Sequence, residues 1–180
     1  TQLFTEHTAS AVYPVLDRKA SVGELFRLWG IVIAGNLTGA AFSAGLLVLA
    51  EPIIQAREGY RIVAQHLVEF QWLPLLVSSI LAGWLMAQGA WLLLGTSRAS
   101  GQILSIYIVT FLIGIGGLHH SIAGSAEMFT ALWIGEAYSA GETIRFLVFA
   151  LLGNLIGGSM FVAVLNYAQI RGTQQEATDE

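Results

Sequence analysis

Long apolar runs alternate with short polar clusters along this chain. Four stretches hold no Asp, Glu, Lys or Arg: residues 28–50, 70–97, the run from 99 up to Glu127, and 146–170. A hydrocarbon core about 30 Å thick is crossed by roughly 20 helical residues, so each run is long enough to span it. Ten-residue segments that alternate polar and apolar, the mark of a membrane β-barrel, are not visible. The pattern predicts an all-α membrane protein. Residues 1–170 read as one transmembrane domain and residues 171–180 as a polar, disordered tail. Ahead of the first run lies a short apolar piece, residues 9–16, interrupted by Pro14 and followed by a charged interfacial stretch. Residues 51–71 read as a solvated element outside the membrane.

Two of the runs carry the same polar insertion. Gly35-Asn36-Leu37-Thr38-Gly39-Ala40 and Gly153-Asn154-Leu155-Ile156-Gly157-Gly158 are both G-N-L-x-G-small. Small residues four apart let helices approach closely, and a side-chain amide at membrane depth needs a partner. Asn36 and Asn154 are therefore read as structural, their amides satisfying loose backbone groups. Thr5 stands 31 residues before Asn36 and His120 stands 34 before Asn154, each in a polar cluster abutting an apolar segment. That recurrence reads as an internal repeat with interrupted helices. The third run breaks on its own terms. Gly114, Gly116 and Gly117 precede the adjacent His119 and His120, and non-helical backbone at membrane depth persists only around protein or a water-filled cavity. A short second helix restarting at Ser121 would turn its N-terminal amides to the middle of the protein, where anions are favoured. One and a half further helices upstream would complete the first copy, so the chain is expected to be a fragment of a six-helix protein.

Composition agrees with this picture and removes other readings. Of 180 residues, 55% are hydrophobic and 11% charged, against about 25% charged in a soluble domain. Mean hydropathy is +0.67. A disordered chain, a nucleic-acid binder built on basic patches and most soluble enzymes are excluded. With no Cys, disulfides, thiolate metal sites and cysteine nucleophiles are excluded too. Arg18, Lys19, Arg27, Arg98 and Arg171 fall on one side of the membrane and Arg57, Arg61 and Arg145 on the other, which makes the first side, with the C-terminus, cytoplasmic.

At four places the chain resembles the formate/nitrite transporter family: LFTEHT (residues 3–8), GNLTGA, HHSIAGS (residues 119–125) and GNLIGG, in matching order and spacing. The resemblance implies an aquaporin-like inverted-repeat bundle of six helices, the second and fifth interrupted. About four full helices and the end of a broken one are expected here. It also implies a homo-pentamer in the inner membrane, with one pore per protomer, for small monovalent anions such as formate and nitrite. No cofactor, metal or nucleic acid is implied. Carried over by resemblance, His120 is the pore histidine, Thr5 the loop threonine beside it, and Leu3 and Phe4 part of an apolar constriction. Three departures mark a divergent branch. His119 stands where many members carry an acid, Ser121-Ile122-Ala123 is followed by Gly124 rather than Asn, and Ile113 replaces an aromatic.

The chemistry expected follows from desolvation. A bare carboxylate-sized anion in an apolar constriction is prohibitively costly. His120, the Thr5 hydroxyl and the half-helix amides from Ser121 onward would replace water as donors, while His120 polarises or protonates the anion. His119 is assigned to a bond with a neighbouring helix. Trp29, Trp72, Trp91 and Trp133 read as interfacial anchors and Trp84 as packing. Glu127, seven residues beyond His120 along one helical face, could pair with His120, cap a vestibule or reach the interface, and the last is the reading taken; His7 and His66 read as interfacial. Two other readings stand beside this one. A membrane metalloenzyme would use His7, His66, His119, His120 and Glu127, but no H-x-x-H or E-x-x-H spacing occurs to support it. The second is a non-transporting membrane scaffold.

Overall fold

Two serine–glutamate capping boxes start the two longest helices, and the bundle is assembled between them. At the first, Glu24 N donates to Ser21 Oγ (3.2 Å) while Ser21 N donates to Glu24 Oε2 (2.8 Å). At the second, Glu142 N donates to Ser139 Oγ (3.1 Å) and Ser139 N to Glu142 Oε2 (2.9 Å). Such boxes satisfy amides that a helix start otherwise leaves open. The computed structural model describes residues 3–136 and 138–169; the tail expected at 171–180 lies outside them.

The order of elements is α1 (Phe4–Leu16), α2 (Val22–Ile54), α3 (Arg57–Val68), α4 (Trp72–Gly95), α5 (Ala99–Ile115), α6 (Ser121–Trp133) and α7 (Ala140–Gly158). Helix α7 continues through a π-helical stretch, Ser159–Val164, so the whole span is Ala140–Gln169. The spans at α2, α4 and α7 are long and apolar enough to cross a membrane, and α5 is a shorter apolar helix. The third charge-free run is thus divided between α5 and α6, as its glycines predict. Helices α2 and α7 begin six residues ahead of the charge-free runs that signal them. Their capping glutamates, with Arg27 and Arg145, hide the first turns from a charge-free criterion. Helix α1 runs straight through Pro14, which sits in its last turn.

The chain is a multi-pass membrane bundle whose core is organised by α4 and α7. A Cβ on Gly83 would collide with the backbone of Asn154, and one on Gly157 with the backbone of Ile80 and Trp84. Glycine at these positions brings the two backbones into contact. Ties at the two ends give the bundle its sides. Tyr167 Oη donates to Asp17 Oδ1 (2.9 Å) at one end. At the other, Arg145 Nη2 donates to Val68 O, Arg57 Nη2 to Ile134 O (each 2.5 Å) and Tyr138 Oη to Arg61 O (3.1 Å). Helix α1 therefore runs from the middle outward to the first end, and α6 from the middle outward to the second. Trp29, expected at the interface, is instead buried with Phe4, Val12, Leu25 and Ile122, its ring edge-on to Phe26.

Candidate pore and its polar centre

The two half-helices start opposite each other, and each has its first amide capped by an asparagine. Phe4 N donates to Asn36 Oδ1 at 2.8 Å and Ser121 N donates to Asn154 Oδ1 at 2.7 Å. Phe4 and Ser121 are the first residues of α1 and α6. The repeat seen as G-N-L in the sequence is thus one local device used twice: an amide on a crossing helix replaces the missing turn of a broken one. The spacing between capped residue and Asn is 32 and 33, closer than the 31 and 34 read from Thr5 and His120.

Asn154 is fully buried. Its Nδ2 donates to Ser79 O (2.7 Å) and His119 O (3.1 Å). The amide joins α4, α6, α7 and the irregular segment 116–120 through three bonds. Gly117 sits there at φ +57°, and a Cβ on it would press on the His66 ring. Glycine is required on both counts. Ser78 Oγ accepts from His119 N (3.1 Å) and lies 2.9 Å from His119 Nδ1. The Nε2 of His119 is 3.4 Å from His66 O.

His120 is buried at the N-cap of α6. Its Nδ1 accepts from Ala123 N (3.2 Å) and its Nε2 lies 2.8 Å from Thr5 Oγ1. An acceptor role at Nδ1 puts the ring proton on Nε2, so His120 is a neutral imidazole donating to Thr5. This contact ties the start of one half-helix to the start of the other. It also changes the expected anion site. Of the first-turn amides of α6, Ser121 N and Ala123 N are already bound, and Ile122 N is left without an acceptor among the described residues.

Two cavities flank this centre. One, about 700 Å³, is lined by Leu3, Ile113, Ile122 and Met86 with the polar groups of Asn36, Thr110, His120, Glu6 and Glu127. The other, about 500 Å³, runs along Ile62, His66, Leu118, Ile113, His120 and Glu127. His120, Leu3 and Ile113 are on these linings, while Thr5 is fully buried behind His120 and on neither of them. Phe4 is packed in the apolar core, and neither it nor Ser121 is on the lining of these cavities. The Ser121 hydroxyl is buried without a partner among the described residues.

Sequence reasoning misplaced or missed four participants. Glu127, expected at the interface, lines both cavities. It lies seven residues after His120, two turns along one helix face, and that spacing is the signal. His66 donates from its edge position to the broken segment: Nδ1 is 2.9 Å from Glu69 Oε1 and Nε2 3.0 Å from Gly117 O. Ser78 and Ser79 had no signal beyond being polar in an apolar run. Among the described residues, no group of three or more His, Asp or Glu is placed to hold a metal.

Residues 1–168 match the family model described as formate/nitrite transporter. The chain is 31% identical over 174 residues to the inner membrane protein YfdC of Escherichia coli, covering 94% of this chain and 55% of YfdC. It is 32% identical to the uncharacterized transporter YrhG of Bacillus subtilis, covering 92% and 63%. To the nitrite transporter NirC of Escherichia coli it is 26% identical, covering 91% and 62%. The chain therefore spans a little more than half the length of these relatives.

Proposed function

The chain belongs to the formate/nitrite transporter family, and from that premise we propose that it carries small monovalent anions, formate or nitrite among them, past His120 between the two cavities. The observation that supports this most is His120, which is on the lining of both cavities and whose Nε2 is held by the buried Thr5 hydroxyl. An anion loses water against Leu3, Ile113 and Ile122 in the larger cavity and against Ile113 and Leu118 in the smaller. A buried charge without donors is costly. The Ile122 amide and the Nε2–H of His120, released from Thr5, supply the donors.

The tautomer decides between polarising the anion and protonating it. A neutral Nε2–H gives a hydrogen bond; giving up that proton would leave an imidazolate, far outside ordinary imidazole chemistry. His120 polarises, and the proton that neutralises the anion comes with it from solvent. Low dielectric favours the neutral acid over its anion, so the crossing species is the acid and the proton is a co-substrate. Leu3 and Ile113 serve as apolar gates and Phe4 as the packing behind them. Asn36, Asn154 and His119 hold the broken helices in place.

In the same reading residues 1–170 form one transmembrane domain of an aquaporin-like inverted repeat, with α1 and α6 as its facing half-helices. The protein sits in the inner membrane, C-terminus in the cytoplasm, as a homo-pentamer. The exposed Phe42, Leu46, Leu49 and Ile53 along α2 offer an apolar face for lipid or a neighbouring protomer. The test is uptake of formate and nitrite into vesicles holding the purified protein, across external pH 5 to 8. Uptake is expected to fall in His120→Asn. If that variant keeps both the rate and its pH dependence, the pore assignment is wrong.

A further inference from the structure

The two cavities share only five lining residues: Ile113, Gly114, His120, Ala123 and Glu127. Two of these five are ionisable. His120 is held neutral by the bonds already described, so its ring does not balance a negative charge nearby. Glu127 makes no hydrogen bond or ion pair with any described residue, and its side chain borders both spaces. A solute that moves from one cavity to the other passes this carboxyl.

Among the described residues, the group that attracts a charge on Glu127 is His66, and that ring is shared with Glu69. From α1 comes Glu6, on the larger cavity, which adds a second carboxyl. From α3 comes His66, on the smaller cavity. Both of its ring nitrogens lie against pure acceptors, Glu69 Oε1 and the Gly117 carbonyl. A charge on that ring is therefore matched by Glu69. His119 turns to Ser78 and the His66 carbonyl. The α2 and α5 residues on these linings, Asn36, Ser43 and Thr110 among them, carry no charge.

Resting on the transport reading above, we infer that Glu127 is a specificity-determining residue, a charge gate that passes monovalent anions when it is protonated and repels them when it is ionised. Charge selectivity thus resides two helical turns from His120 along the same face. Weak acids, which carry their own proton past the gate, pass over a wider pH range than anions of strong acids. The gate binds one proton at the carboxylate oxygen and releases it to water.

Nitrate separates this effect from the protonation of the solute, because it stays an anion between pH 5 and pH 8. In vesicles holding the full chain, wild-type nitrate uptake is expected to be about tenfold or more faster at pH 5 than at pH 8, as one nearby charge is removed. Glu127→Gln should take up nitrate at the fast rate at both pH values. Glu127→Asp should restore the pH dependence and shows that the site tolerates substitution. A Glu127→Gln profile like that of the wild type overturns the gate and leaves the formate result standing. Should the wild type move neither formate nor nitrate, the transport reading fails by itself. Infrared difference spectra between the two pH values then decide on Glu127. A protonated-carboxyl band absent from Glu127→Gln supports a titrating gate, and one unchanged by the substitution overturns it.

Discussion

The same six-residue motif does two different jobs in the two halves of this molecule. In GNLIGG, Asn154 is fully buried, caps α6 and binds two further carbonyls, while Gly153, Gly157 and Gly158 lie where any Cβ would strike α4 or α1. In GNLTGA, Asn36 caps α1 by an equivalent bond, but it borders the 700 Å³ cavity, and a Cβ on Gly35 or Gly39 would meet open space. The cap belongs to the repeat; the close packing belongs to one copy. The N-cap positions differ in the same sense. His120 caps its own helix through Nδ1, whereas the corresponding Leu3 has no side-chain bond to give. The polar machinery is concentrated in the second half, and the first half contributes its hydroxyl, Thr5, across the middle.

The largest expected effect comes from the buried amide. Asn154→Ala strands the Ser121 amide and two carbonyls in an apolar interior and should cost about 3 kcal/mol or more, against a smaller loss for Asn36→Ala, whose site borders a cavity. Thermal unfolding in detergent measures both; equal losses would erase the contrast between the copies. Next comes the glycine pair. Gly157→Ala forces α4 and α7 apart and should cost about 1–3 kcal/mol, while Gly39→Ala should stay within about 1 kcal/mol of the parent. A strong loss in Gly39→Ala would reveal that another segment or protomer packs on that face.

Thr5→Val cuts a side-chain bond between the half-helix starts, at about 1 kcal/mol, and leaves the His120 donor free. Unfolding midpoint and formate uptake should both change, the second more than the first. The smallest effect is expected at the surface of α3. There Arg61 holds the Glu58 carboxyl below its usual range, so the pair contributes at neutral pH and is lost as pH falls through that lowered range. The pair is solvent-exposed and such pairs contribute little. Arg61→Gln should leave the acid side of the unfolding curve in place, and a visible shift would move weight from the buried amides to the surface.

Much of this was legible in the chain. Charge-free length marks the membrane helices, because lipid tolerates few ions. Glycines beside two histidines mark the break in the third run. A side-chain amide repeated at membrane depth marks the caps, though not which amide they serve. The starts of α2 and α7 were misplaced for a definite reason. Ser21–Glu24 and Ser139–Glu142 are capping signals, yet a search for uncharged residues discards them. Trp29 looked like an anchor because it sits at the end of an apolar run; α1 folds back over it.

Sequence by itself determined the solvent of this protein, its helical content and the positions where helices fail, since these depend on local composition and on backbone hydrogen bonding within a few residues. Only the tertiary structure decided which groups meet at the failures. The Thr5–His120 contact joins residues 115 apart, and Glu127 borders both cavities because α6 packs against α2 beside one and α3 beside the other. Such meetings depend on the relative placement of whole helices, which no local stretch of sequence encodes.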